Sequence, residues 1–182
     1  ADLILLDNFE PKQVADAGLE NVSAGWANDE VIGTWGDKLQ RLTIRSSIIA
    51  EGLLQAGHPK VRHSMGMLIG AGAQTVEIVG NLFASNMNRS PVLGGGASAL
   101  VANNLVYNPG EAALHLYNDG KDIPTRAVFM GNDIRRGPNT SPKLMPLQMP
   151  AAMAFSVPPI QIFAADNHCC SGPSEAQTGP TP

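Results

Sequence analysis

Val76-Glu-Ile-Val-Gly-Asn-Leu-Phe83 sets apolar residues at alternate positions, interrupts them with Gly-Asn, and resumes with two more apolar residues. The same order returns at Leu100-Val-Ala-Asn-Asn-Leu-Val106 and at Ala127-Val-Phe-Met-Gly-Asn-Asp-Ile134. A looser version occurs at Leu42-Thr-Ile-Arg-Ser-Ser-Ile-Ile49 and at Ile160-Gln-Ile-Phe-Ala-Ala-Asp-Asn167. A period of two is a strand signature, because successive side chains of a strand point to opposite faces. The polar anchors Ser47, Asn81, Asn104, Asn132 and Asn167 follow one another at spacings of 34, 23, 28 and 35 residues. Short strands separated by Gly, Asn and Pro are also compatible with a sandwich. The recurrent anchors favour a solenoid, in which equivalent residues of successive coils stack in ladders. An amide at a turn can bond backbone groups that would otherwise be buried without partners, and stacked amides can bond one another. The expectation is an all-β parallel β-helix of at least five coils, with Ser47, Asn81, Asn104 and Asn132 stacked at one interior corner.

Outward from the repeat, the chain lacks a convincing helical period. Pro11 to Gly18 is compatible with one turn of helix. Residues 1–170 read as one domain. From Pro138 the character changes, and nine of the fourteen prolines lie between there and Pro182. Residues 138–159 read as a Pro-rich arm or loop, followed by a last strand at Ile160 to Ala164, and residues 171–182 as a disordered tail.

Composition sets limits on function. Hydrophobic residues make up 43% of the 182 and charged residues 15%, a globular balance. The formal net charge of −4 argues against nucleic acid as a partner. No stretch is long and apolar enough to span a bilayer as a helix, so no membrane partner is expected. There is no signal peptide in the chain, which a mature secreted protein would lack as well. The only cysteines, Cys169 and Cys170, are adjacent, so they read as ordinary thiols rather than a cross-linking framework.

Several ordered stretches carry a family resemblance: Trp26-Ala-Asn-Asp-Glu30, Glu51-Gly52 with Gly57-His-Pro-Lys60, His63-Ser-Met-Gly-Met-Leu-Ile-Gly70, and Asn81-Leu-Phe83 leading to Asn88-Arg-Ser-Pro91 and Asn103-Asn-Leu-Val-Tyr-Asn108. Over about residues 20–108 the chain resembles the pectate lyase family of polysaccharide lyases, in its pectate lyase-like branch. The resemblance implies a right-handed parallel β-helix, and a chain shorter than most members, which have more coils before the Trp26 region. It also implies a secreted or cell-surface enzyme that cleaves an acidic, pectate-like polyuronate by β-elimination, with Ca²⁺ as cofactor.

Position by position, Arg89 falls on the family's catalytic arginine. Asp29 falls on the first of its calcium-binding acids, and Glu30 adds a second carboxylate. Departures are visible too. Met65 stands where a lysine is common, Gly94 where a second arginine is common, Gly33 where a second acid is common, and Glu20-Asn21 where an Asp-His pair is common. Lys60, Arg62 and His63 share one loop, in which Lys60 is the candidate for the missing lysine's role and Arg62 and His63 for binding a uronate carboxylate. The bland reading of that loop is exposed polar residues. Trp26 and Trp35 offer flat faces for a sugar ring, or belong to the core. His58 and His63 lie five apart, with no third metal ligand evident beside them. If the chain is a lyase, Arg89 should lie on the outer surface beside the Lys60–Met65 loop, with Asp29 facing the same groove.

A non-catalytic β-helix that binds glycans or plays a structural role is the alternative, and the departures favour it. A hydrolase of the same fold would need paired carboxylates at a cleft, and Asp29 and Glu30 are sequence neighbours. One further expectation concerns association. The open N-terminal end of a solenoid exposes unpaired backbone and apolar residues, which points to a homodimer through that end.

Overall fold

Leu42 and Ile44, Val76 and Ile78, Ala99 and Val101, and Ala127 and Phe129 each point into the molecule from alternate positions of a strand. The computed structural model that shows this describes residues 15–34, 39–117, 123–151 and 159–171. Every strand pairing within it is parallel.

Each coil contributes one strand to each of three sheets. The first sheet runs β1 (Ala15–Glu20), β4 (Gln40–Arg45), β7 (Gln74–Val79), β10 (Ser98–Ala102), β13 (Arg126–Met130) and β16 (Gln161–Ala165). The second runs β2 (Ser23–Gly25), β5 (Ile48–Ala50), β8 (Leu82–Ala84), β11 (Leu105–Tyr107), β14 (Asp133–Arg135) and β17 (His168–Ser171). The third runs β3 (Glu30–Thr34), β6 (Met65–Ile69), β9 (Val92–Leu93), β12 (Ala112–Leu116) and β15 (Met145–Gln148). The fold is therefore a parallel β-helix with five full coils and two strands of a sixth, as the repeat requires.

Register turns the sequence repeat into interior columns. Leu42, Val76, Ala99 and Ala127 stack in one column, and Ile44, Ile78, Val101 and Phe129 in the next. The second sheet supplies Ala24, Ile49, Phe83, Val106 and Ile134. The third supplies Ile69, Leu93 and Leu116. Burying a side chain of this size contributes roughly 1.5–3 kcal/mol, so the columns are the main source of cohesion.

Between the first and second sheets the chain turns on one residue in the left-handed region. These residues are Asn21, Ser46, Gly80, Asn103, Gly131 and Asp166, with φ between 50° and 67°. The residue after each corner points inward, and from the second coil onward it is an anchor. Asn104 Oδ1 accepts from the backbone N–H of Asn81 at 3.0 Å and from its side-chain amide at 3.0 Å. Asn132 Oδ1 receives the same pair from Asn104 at 3.1 and 2.9 Å, and Asn167 Oδ1 from Asn132 at 3.1 and 2.8 Å. The Nδ2 groups of Asn81, Asn104, Asn132 and Asn167 also donate to the carbonyls of Ile44, Ile78, Val101 and Phe129, each at 2.9 Å. Ser47 ends the column: its N–H donates to Asn81 Oδ1 at 3.0 Å, and its hydroxyl accepts from Val22 N–H at 3.2 Å.

Several expectations are corrected. Ala15–Gly18 lies in strand β1, paired with β4, rather than in a helical turn, because the backbone groups there complete the first sheet. The Pro-rich arm holds a strand: β15 continues the third sheet on β12. Pro146 is tolerated inside it because β15 is an edge strand among the described residues, so one side of its backbone needs no partner. Ser171 belongs to β17 rather than to the tail, and Cys169 and Cys170 are joined as a disulfide rather than left as thiols. Trp35, residues 172–182, and residues 1–14, on which the N-terminal dimer expectation rests, lie outside the described residues.

The ladder generates a stability prediction. Asn104→Ala would leave the Asn81 N–H and the Ile78 carbonyl buried without partners. It should lower the unfolding free energy in urea by about 2–4 kcal/mol, since each orphaned group costs about 1–3 kcal/mol. An unchanged denaturation midpoint would mean that the ladder contributes nothing to cohesion.

Candidate functional site

The third sheet positions the candidate site. Leu68 of β6, Val92 of β9 and His115 of β12 are in register, and the same row ends at Gly33 of β3. These three side chains line a cavity of about 180 Å³ together with Asp29, Glu30, Lys60, Arg89 and Tyr117. Glycine at position 33 adds no side chain to that row. Lys60 reaches the cavity from the loop between β5 and β6, and Arg89 from the segment that precedes β9.

Arg89 is held by its backbone. Its φ is +62°, a left-handed value costly for a residue with a Cβ to carry unless its surroundings enforce it. Gly66 supplies the enforcement. The Gly66 N–H donates to Asn88 O at 3.0 Å and the Met67 N–H to Arg89 O at 2.7 Å. A Cβ on Gly66 would fall 2.5 Å from Arg89 O, so only glycine permits this approach. The guanidinium Nη1 of Arg89 donates to Glu30 Oε1, joining the segment before β9 to the start of β3 across the cavity wall. Burial pulls the pKa of Arg89 below its usual value, and the charges of Asp29 and Tyr117 oppose this.

Asp29 faces two histidines. His63 Nε2 lies 2.7 Å from Asp29 Oδ1, and His58 Nε2 lies 3.6 Å from Asp29 Oδ2. The two imidazoles stack, with centroids 4.1 Å apart and planes within 10°. Burial lowers the pKa of His63, an effect that the hydrogen bond to Asp29 partly offsets. His115, on the cavity floor, is also lowered, first by burial and then by the charge of Arg89, and its Nδ1 is buried without a hydrogen-bond partner.

Four of the candidate residues thus meet in one cavity: Arg89, Lys60, Asp29 and Glu30. The other three are placed elsewhere. His63 is buried behind Asp29 and does not line the cavity. Arg62 lines a different hollow, with Ser64, Asn86 and Asn108. Trp26 is half-exposed at the corner after β2, where its Nε1–H donates to Glu51 Oε2 at 2.9 Å, in a third hollow with Ile48 and Ala50. Sequence reasoning missed His115 and Tyr117. Their alternation along β12 and just beyond it was the only available signal, and it does not distinguish a cavity-facing histidine from a solvated one.

Two of the departures now have a physical content. A Cβ at Gly94 would lie 2.6 Å from the backbone N of Ala71, so no arginine fits there. Met65 is buried at the start of β6, where a lysine ammonium would be cut off from water. The carboxylates available to calcium are committed, Glu30 to Arg89 and Asp29 to the histidines, and calcium usually takes six to eight oxygens. The residues present do not fit calcium.

The lowered pKa of His115 carries a pH dependence. The unfolded chain takes up a proton at this histidine near the ordinary histidine value of 6.5, while the folded chain resists it. Stability contributed through His115 is therefore intact above that value and lost as pH falls below it. Urea melts of the native chain and of His115→Gln should diverge from about pH 7 to about pH 5, with the variant losing less stability. Parallel pH profiles would show that His115 titrates as freely as a solvated histidine. No family model matches this chain, and neither any curated protein nor any solved structure matches it.

Proposed function

We propose that the chain is a pectate lyase-like enzyme that cleaves an acidic polysaccharide by β-elimination at the cavity on the third sheet. The observation that carries this reading is the convergence of Arg89, Lys60, Asp29 and Glu30, drawn from three separate parts of the chain, beside His115 and Tyr117. The reaction removes the proton next to a uronate carboxylate and expels the glycosidic oxygen from the neighbouring carbon. Negative charge builds on the carboxylate, and positive groups fixed in a partly dry site stabilise it more than water would. Lys60 and Arg89 are such groups. Arg89 already holds one carboxylate in Glu30, so its fork is oriented to receive a second in the same plane or to exchange one for the other.

Two groups compete for the role of base. Arg89 takes it by resemblance, and burial lowers its pKa in the direction a base needs, although the contact with Glu30 favours the charged form. His115 is the other. Its lowered pKa keeps the imidazole neutral near pH 7, and it lines the same cavity as Arg89. The cavity volume of about 180 Å³ is below the usual range for a drug-sized ligand, which suits one sugar ring seated in it with the rest of the chain lying outside. A polysaccharide substrate places the work outside the cell or at its surface.

The second reading, a β-helix that binds glycans without cleaving them, draws on the closed position at Gly94 and the buried Met65, which leave the site with fewer cations than the family pattern.

Ultraviolet absorbance of unsaturated uronates, followed with polygalacturonate, separates the two. Elimination should be detectable in the native chain and fall by at least about 100-fold in Arg89→Lys, which keeps a cation but loses the fork. Arg62→Ala, in a different hollow, should retain most of the rate. Arg89→Ala is a poorer probe, because it orphans the nearly buried Glu30 carboxylate and should cost about 1–3 kcal/mol of stability. Undiminished elimination in Arg89→Lys removes Arg89 from catalysis, and glycan binding with no elimination in the native chain establishes the second reading.

A further inference from the structure

The loop between β5 and β6 is fastened to the first coil by the two histidines that meet Asp29. Asp29 immediately precedes β3 and His63 lies just before β6, and Glu30 pairs with Met65 across these strands, so the two residues occupy neighbouring positions on adjacent coils. One imidazole nitrogen from each of His58 and His63 and one carboxylate oxygen of Asp29 lie within 4.8 Å of one another. His63 is buried, the His58 side chain is 14% exposed, and the Asp29 side chain is 34% exposed and opens onto the cavity.

We propose that Asp29, His58 and His63 form a binding site for a divalent transition-metal cation of the zinc type. Two imidazoles and one carboxylate are a borderline donor set that suits such a cation and not a hard one such as calcium. Ligand atoms at about 2.0–2.2 Å from a tetrahedral zinc lie about 3.3–3.5 Å apart. The observed nitrogen–oxygen separations, 2.7 Å from His63 to Oδ1 and 3.6 Å from His58 to Oδ2, bracket that spacing, and loading requires the two stacked imidazoles to turn out of their stack so that both in-plane lone pairs meet one cation. Three protein ligands leave a fourth position, and Asp29 directs it toward the cavity. The cation would add positive charge beside Lys60 and Arg89, but the site stands on its own ligands and does not depend on the lyase reading.

The chemistry also supplies a signature. His58 Nδ1 accepts from the Lys60 N–H at 3.1 Å, which places the ring's own proton on Nε2, facing Asp29. A cation bound at Nε2 takes that position, and the ring proton moves to Nδ1, where it displaces the Lys60 N–H. Loading therefore breaks a backbone contact at Lys60. A cluster that merely pins the loop, with His63 bonded to Asp29 under a stacked His58, has no such response.

The test uses the full chain, stripped with a chelator, without reductant, and titrated with zinc chloride by calorimetry near about pH 7. One equivalent should bind saturably. His58→Gln and Asp29→Asn should each weaken the affinity by more than about tenfold, since even supporting residues of metal sites cost that much. Cobalt(II) should give a visible absorption spectrum of a nitrogen- and oxygen-ligated ion in the native chain and lose it in His58→Gln. Amide exchange at Lys60 should quicken on loading. Absence of saturable zinc uptake overturns the proposal, as does equal uptake by His58→Gln, which would place the metal elsewhere. If Asp29→Asn fails to fold by circular dichroism, His58→Gln decides alone, because His58 sits in the outer loop.

Discussion

The asparagine column at the first corner is the interaction on which the rest of this structure depends. A β-helix must reverse its chain direction inside a dry interior once per coil, and each reversal strands backbone donors and acceptors that the sheets cannot reach. An inward amide solves this with both ends of one side chain. Its oxygen accepts from the N–H and amide of the rung on the preceding coil, and its nitrogen donates both to a carbonyl of that preceding coil and to the oxygen of the rung on the next. The left-handed residue immediately before it makes the reversal short enough for the amide to reach. Because each rung bonds its neighbour, the column also sets the register from coil to coil, and register decides which side chains share a row on every sheet.

That register is what assembles the cavity. Leu68, Val92 and His115 align on the outside of the third sheet because Ile69, Leu93 and Leu116 align on its inside. Arg89 then enters from a segment whose strained backbone is fixed by the close approach of Gly66. A long basic side chain held in one place loses less entropy on binding a ligand than a mobile one, which is how a rigid solenoid makes a site from a few loop residues. The contact with Glu30 serves the same end, since it orients the guanidinium before any ligand arrives.

The same constraints limit the site. Close packing of the third sheet leaves no room for a side chain at position 94 and no water at position 65, so the cation count cannot rise by simple substitution. The carboxylates that resemblance assigns to calcium are engaged with an arginine and two histidines. On the proposed reading, chemistry at this cavity would run on Lys60, Arg89 and His115.

The sequence by itself determined a minimum of five coils, the parallel class and the anchor column, because each depends on a local pattern repeated along the chain. Alternation shows which residues point inward, and the recurring Asn shows where each coil turns. It also placed Arg89, Lys60, Asp29 and Glu30 on one list through resemblance. It did not reveal that β15 continues the third sheet through a run of prolines, since edge position, which excuses Pro146, is a property of the assembled sheet. Nor did it reveal that Arg62 and Trp26 face other hollows, because loop residues carry no periodicity from which to read direction. His58 and His63 had no visible third ligand, since Asp29 lies a whole coil away and comes beside them only when the coils stack. Only the tertiary structure decided that pairing, because the helical rise brings residues 34 positions apart to hydrogen-bonding distance, while local sequence encodes only the strands on which they travel.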